Sequence, residues 1–114
     1  MTDQQSQNIY VAVLIYESSS ESPQYKMLFE ESFMIIKASS LEEAKQKTHQ
    51  YANDRTSTFK NESGVSITWS LKHVVDVNQV LYDVNTDGAE IYARHFRNYQ
   101  AYSEFEPLLS GEDL

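Results

Sequence analysis

The chain has 114 residues and a formal net charge of −8, with 40% hydrophobic and 23% charged side chains and no cysteine. That balance describes one folded domain, large enough to bury roughly two-thirds of its unfolded surface. The missing cysteine excludes disulfides, thiolate zinc sites, iron–sulfur clusters and cysteine nucleophiles, and the acidity disfavours sequence-independent binding to nucleic acid or anionic membranes.

Residues 1–8 contain no basic segment, and the apolar run Ile9–Ile15 is too short for a signal or a membrane span. They read as a flexible tail on a cytoplasmic protein. Tyr10 to Tyr16 is β-branched and aromatic on both parities, which predicts a central strand covered on both faces. The polar stretch Ser18-Ser19-Ser20-Glu21-Ser22-Pro23 reads as a loop. Tyr25 to Ala38 is expected to return as a second, antiparallel strand.

The strongest helix start follows. Ser39 with Glu42, and Ser40 with Glu43, both have capping-box spacing. Leu41, Ala44, Thr48, Tyr51 and Ala52 then recur on one helical face, and Glu43 with Lys47 offers an i,i+4 pair. The helix is expected to fade among Thr56, Ser57 and Thr58, ahead of a turn at Asn61-Glu62-Ser63-Gly64. Val65, Ile67, Trp69, Leu71, Val75 and Val77 then alternate with Ser66, Thr68, Ser70, Lys72 and Asp76, predicting a strand with one buried face on which His73 is the odd member.

Asp87-Gly88 suits a type I′ turn, and a two-residue loop there would pair Thr86 with Ala89, Val84 with Ile91 and Tyr82 with Ala93. Arg97 to Glu106 has the spacing of a short helix, stopped by Pro107. The predicted fold is therefore α+β, an antiparallel sheet of four to five strands with the main helix on one face. Residues 9–106 form the single domain and 107–114 a flexible acidic tail.

Tyr10-Val11-Ala12, Glu30-Glu31-Ser32, Ala38…Leu41-Glu42-Glu43-Ala44, Asn61-Glu62-Ser63-Gly64…Trp69 and Asp87-Gly88-Ala89-Glu90-Ile91-Tyr92-Ala93-Arg94 together resemble the bacterial family known as domain of unknown function 4288. The resemblance spans nearly the whole chain between its tails. It implies a small stand-alone bacterial domain and transfers no activity or site residue.

No phosphate-cradling glycine loop or nucleophile elbow is present, so no catalytic residue and no cofactor is assigned. His49, His73 and His95 lack ligand-pair spacing, and no metal site is assigned. Glu30 and Glu31 are adjacent on a strand and must point to opposite faces. A regular strand then places one carboxylate among apolar side chains, with His73 or His95 as its partner in a candidate polar pocket. The alternative is a β-bulge or a solvated strand end.

The other excess is aromatic. Tyr92, Phe96, Tyr99, Tyr102 and Phe105, with Arg94 and Arg97, form a candidate interface, because tyrosine and arginine are favoured at protein contacts. The same aromatics would equally serve to pack the last helix onto the sheet. The leading expectation is a non-enzymatic protein-interaction or regulatory module, self-associating as a homodimer. The second is a small-molecule-binding domain or minor enzyme using a Glu/His pair, and the third an acidic inhibitor or immunity-type protein.

Overall fold

A computed structural model of the chain describes residues 7–109. Strand β1 spans Asn8–Ser19, β2 Phe29–Ala38, helix α1 Leu41–Asp54, β3 Ser57–Lys60, β4 Ser66–Gln79 and helix α2 Tyr99–Phe105, with a single 3-10 turn over Pro107–Leu109. The strands form one sheet in the order β2-β1-β4-β3, every neighbouring pair antiparallel. This is the expected α+β architecture. Among the described residues no helix is long and apolar enough to cross a membrane.

β1 is central because its side chains are apolar on both parities. Tyr10, Ala12, Leu14 and Tyr16 face α1 and join Met34, Ile36, Ala38, Ala44, Ala52 and Val77 in the main core, while Val11 and Val13 are buried on the other face. Ser18 and Ser19 belong to this strand rather than to the expected loop. Ser18 is fully buried and pins the returning chain: its hydroxyl accepts from the Leu28 N–H at 2.9 Å and the Tyr25 hydroxyl at 2.6 Å. Pairing with β1 accordingly starts at Phe29, so β2 is shorter than the expected Tyr25–Ala38.

At the start of α1 the Ser40 hydroxyl accepts from the Glu43 N–H at 3.1 Å, and Glu43 reaches back to the Ser39 N–H at 2.6 Å and hydroxyl at 2.9 Å. Of the two capping boxes in the sequence, Ser40/Glu43 forms in its N-cap half, while the Glu43 carboxylate takes the N–H of Ser39 instead of that of Ser40. The expected Glu43–Lys47 pair is not made, because Lys47 donates to the Lys37 carbonyl at 2.7 Å instead. The helix buries only Ala44, Thr48 and Ala52, one stripe of small residues at i, i+4 and i+8, which lets it lie close on the sheet. Leu41 and Tyr51, expected on the same face, stay exposed at its edges.

β4 departs from uniform alternation. Its register against β1 shifts twice, between the partners of Val13 and Leu14 and between those of Ile15 and Tyr16, leaving Val75 and Lys72 as extra residues. Leu71, Val74 and Val77 therefore reach the core at three-residue steps. Val75, expected in the core, is 45% exposed, and His73 faces away from α1, opposite Ile15. β3 stands where the sequence predicts only the fading end of the helix: it pairs with β4 around the expected Asn61–Gly64 turn, where Gly64 has φ 78°.

The predicted hairpin of residues 82–93 does not form. The Ala89 N–H donates to the Thr86 carbonyl at 3.0 Å and Gly88 has φ 81°, but Asp87 does not have positive φ, so the turn is type II rather than type I′. A type II turn splays its flanking strands against their natural twist, and no ladder follows. The last helix is present, capped by the Asn98 side chain, which accepts from the Ala101 N–H at 3.0 Å.

Candidate functional site

The sheet face away from α1 has three cross-strand rows at its centre. Ile35, Val11 and Asn78 form the first, Phe33, Val13 and Asp76 the second, and Glu31, Ile15 and His73 the third. The middle column is apolar because β1 is apolar on both parities, so this face needs a cover as much as the helix face does. Among the described residues no helix supplies one.

Part of the cover is Tyr92. Its ring lies 5.6 Å from that of Phe33, centroid to centroid, and its hydroxyl donates to the Asp76 carboxylate at 3.0 Å. Phe33 and Asp76 flank Val13, so the tyrosine bridges over that valine, which is only 1% exposed. Burial pushes the Tyr92 phenol above its ordinary range, reinforced by the Asp76 hydrogen bond and charge and by Glu31, with Arg94 opposing. The phenol stays a protonated donor at neutral pH. At the rim Lys72 pairs with Glu17 at 3.4 Å and sits 5.8 Å from the Phe29 ring centroid. Beyond this Phe29, Phe33 and Ile35 remain about half exposed.

The segment that sends Tyr92 to the sheet is itself poorly packed. Leu81 is 77% exposed, and Phe105 and Leu108 are 73% exposed. Phe96 stacks on Tyr102 at 4.9 Å and Tyr99 lies 6.3 Å from Tyr102, so these rings pack on one another. Helix α2 touches the following 3-10 turn and no strand of the sheet. Of the seven candidate interface residues, Tyr92 alone is committed to the sheet. Arg94, Phe96, Arg97, Tyr99 and Phe105 are exposed and Tyr102 is half-buried.

Glu30 and Glu31 do point to opposite faces, and both are exposed. The alternative of a solvated strand end therefore holds over one buried carboxylate: Glu30 lies beside the last turn of α1, and Glu31 lies on the face that α1 does not cover. Glu31 and His73 share a face but stand on either side of Ile15, two strand spacings or about 10 Å apart. His95 lies elsewhere, lining a shallow hollow with Phe96 and Arg97. Glu30 is on the helix side, opposite Tyr16, in a groove with Ser32, Arg55, Ser57 and Trp69. The sequence reading missed Tyr16, Arg55 and Trp69 as neighbours of Glu30, since only the β1–β2 register and the end point of α1 bring them together.

The family described as a domain of unknown function (DUF4288) matches residues 9–93. No curated protein and no solved structure matches the chain.

Proposed function

The chain belongs to the DUF4288 family, and we propose that it acts as a non-enzymatic protein-interaction module that self-associates through its C-terminal segment and the helix-free face of its sheet. One observation carries the reading: the large apolar side chains beyond Val80 lie mostly on the outside, while the sheet face beside them is only partly covered. The radius of gyration is 17.7 Å, against about 13 Å for a compact chain of this length. A segment rich in tyrosine and arginine has the composition that protein contacts favour.

The proposed occupant of the open face is a second copy. Tyr92 already supplies a contact between this segment and this face, and exchange between copies would extend the same chemistry from Phe33 to Phe29 and Ile35. Charge supports it locally: Arg94 and Arg97 lie in the segment, Glu31 and Asp76 on the face. The overall charge of −8 opposes it, so association should strengthen as salt screens the general repulsion. The proposed setting is a bacterial cytoplasm, which a chain without cysteine suits.

Light scattering of the purified protein tests the proposal. The expected result is a dimer that becomes a monomer in the Tyr99→Ala/Tyr102→Ala double variant, with unchanged far-ultraviolet circular dichroism. A monomeric wild type, or a double variant as dimeric as the parent, overturns it.

A further inference from the structure

On the opposite side of the sheet lies a second feature, independent of association. Helix α1 ends at Asp54 and the chain turns through Arg55, whose N–H donates to the Ala52 carbonyl at 3.2 Å, before entering β3. Between that turn and the sheet is a groove of about 270 Å³, lined by Tyr16, Glu30, Ser32, Arg55, Ser57 and Trp69. Strand pairing fixes the lining: Glu30 is opposite Tyr16 across β1–β2, and Ser57 is opposite Trp69 across β3–β4. Tyr16 is buried, and its hydroxyl donates to the Ala52 carbonyl at 3.3 Å, tying the groove to the helix end.

The charges here are opposite in sign and unspent on each other. Both act on the Tyr16 phenol, which burial pushes upward, Arg55 pulls down and Glu30 pushes up. Yet the Glu30 carboxylate and the Arg55 guanidinium stand more than 4.0 Å apart; among the described residues the one ion pair is Lys72–Glu17. A simple anion drawn to Arg55 would meet the repulsion of Glu30, and a simple cation drawn to Glu30 that of Arg55. A molecule carrying both charges satisfies both. Arginine presents a planar fork suited to a carboxylate, and a glutamate accepts readily from an ammonium. The Trp69 indole adds an apolar wall, and the Ser32 and Ser57 hydroxyls can donate or accept. The volume falls just under the usual range of drug-sized pockets, which limits the ligand to a small molecule.

We infer that this groove binds a small zwitterion of the free α-amino acid class, its carboxylate on Arg55, its ammonium on Glu30 and its side chain against Trp69. Both charged groups are solvent-accessible, so the binding is reversible and salt-sensitive. Because the groove lies on the helix side, it operates in monomer and dimer alike.

Trp69 is the sole tryptophan of the chain, so its emission reports occupancy directly. The full-length protein is titrated with each proteinogenic L-amino acid in turn, with calorimetry as a second readout. The strongest binder is then compared with its N-acetyl and carboxamide derivatives. The expected result is saturable binding of at least one amino acid, weakened roughly tenfold or more in each blocked derivative and in the Glu30→Gln and Arg55→Gln variants, as for loss of one charge-assisted contact. Both positions are exposed, so these variants retain the fold. Absence of saturable binding by both readouts overturns the inference. So does a blocked derivative, or either variant, that binds as tightly as its parent.

Discussion

The two ends of this chain have comparable apolar content and opposite fates. In residues 8–80, aromatic and aliphatic side chains are sorted by strand register, and Tyr10, Leu14, Tyr16 and Ile36 disappear beneath α1. In residues 81–109, Leu81, Phe96, Tyr99 and Phe105 remain outside. The difference is one of partners. A strand side chain is buried when an opposing layer covers it, and the second region has no such layer among the described residues. Apolar composition therefore marks a core in the first region and an exposed apolar surface in the second, which is why an exposed apolar patch is informative.

The comparison can be broken most directly at Leu14. Replacing this fully buried core residue with alanine should cost about 3–5 kcal/mol, seen as a lower denaturation midpoint; a loss below about 1 kcal/mol would mean that the helix-covered face is not a packed core. Ser18→Ala should come next, at about 1–3 kcal/mol for two lost hydrogen bonds, because the Leu28 N–H and the Tyr25 hydroxyl lose their buried acceptor. Double-mutant analysis with Tyr25→Phe should recover part of that loss, and strict additivity would argue against the network. Ser40→Ala should cost about 1 kcal/mol through the lost cap of α1. Tyr99→Ala alone, in dilute monomer, should change stability by no more than about 0.5 kcal/mol. A loss like that of Leu14 would place the C-terminal segment in the same cooperative unit.

Acid provides a finer test at the start of α1. Hydrogen bonds from the Ser39 N–H and hydroxyl hold the Glu43 carboxyl below its ordinary value of 4.5. A carboxyl depressed in the folded state contributes stability above its unfolded pKa and loses it as pH falls through the folded value. Helix content should therefore fall more steeply below pH 4.5 in the parent than in Glu43→Gln, which lacks the titration. Parallel acid curves for the two proteins would remove Glu43 from the helix start.

Much of the fold was legible because it rests on short-range rules. Tyr10–Tyr16 announced a strand buried on both faces, Ser40 and Glu43 announced where the helix begins, and Asn61–Gly64 announced its turn. Misplaced features needed information from another strand. Val75 and His73 were assigned to the core face by alternation, and two bulges against β1 reversed that assignment. The Asp87-Gly88 pair carried a real turn signal, but its backbone adopted the geometry that splays strands. At the candidate sites, the opposite orientation of Glu30 and Glu31 followed from the pleat alone. That Glu30 shares a groove with Arg55 and Trp69, and that Tyr92 rather than a helix covers Val13, did not.

By itself the sequence determined an α+β chain with a doubly apolar central strand, a capped helix and an aromatic, arginine-bearing C-terminal segment, because propensity, periodicity and caps act over a few residues. Only the tertiary structure decided which charged side chains share a groove and which sheet face is left without a helix among the described residues. Those outcomes depend on register and on where α1 stops, and both are set by packing between elements far apart in the chain.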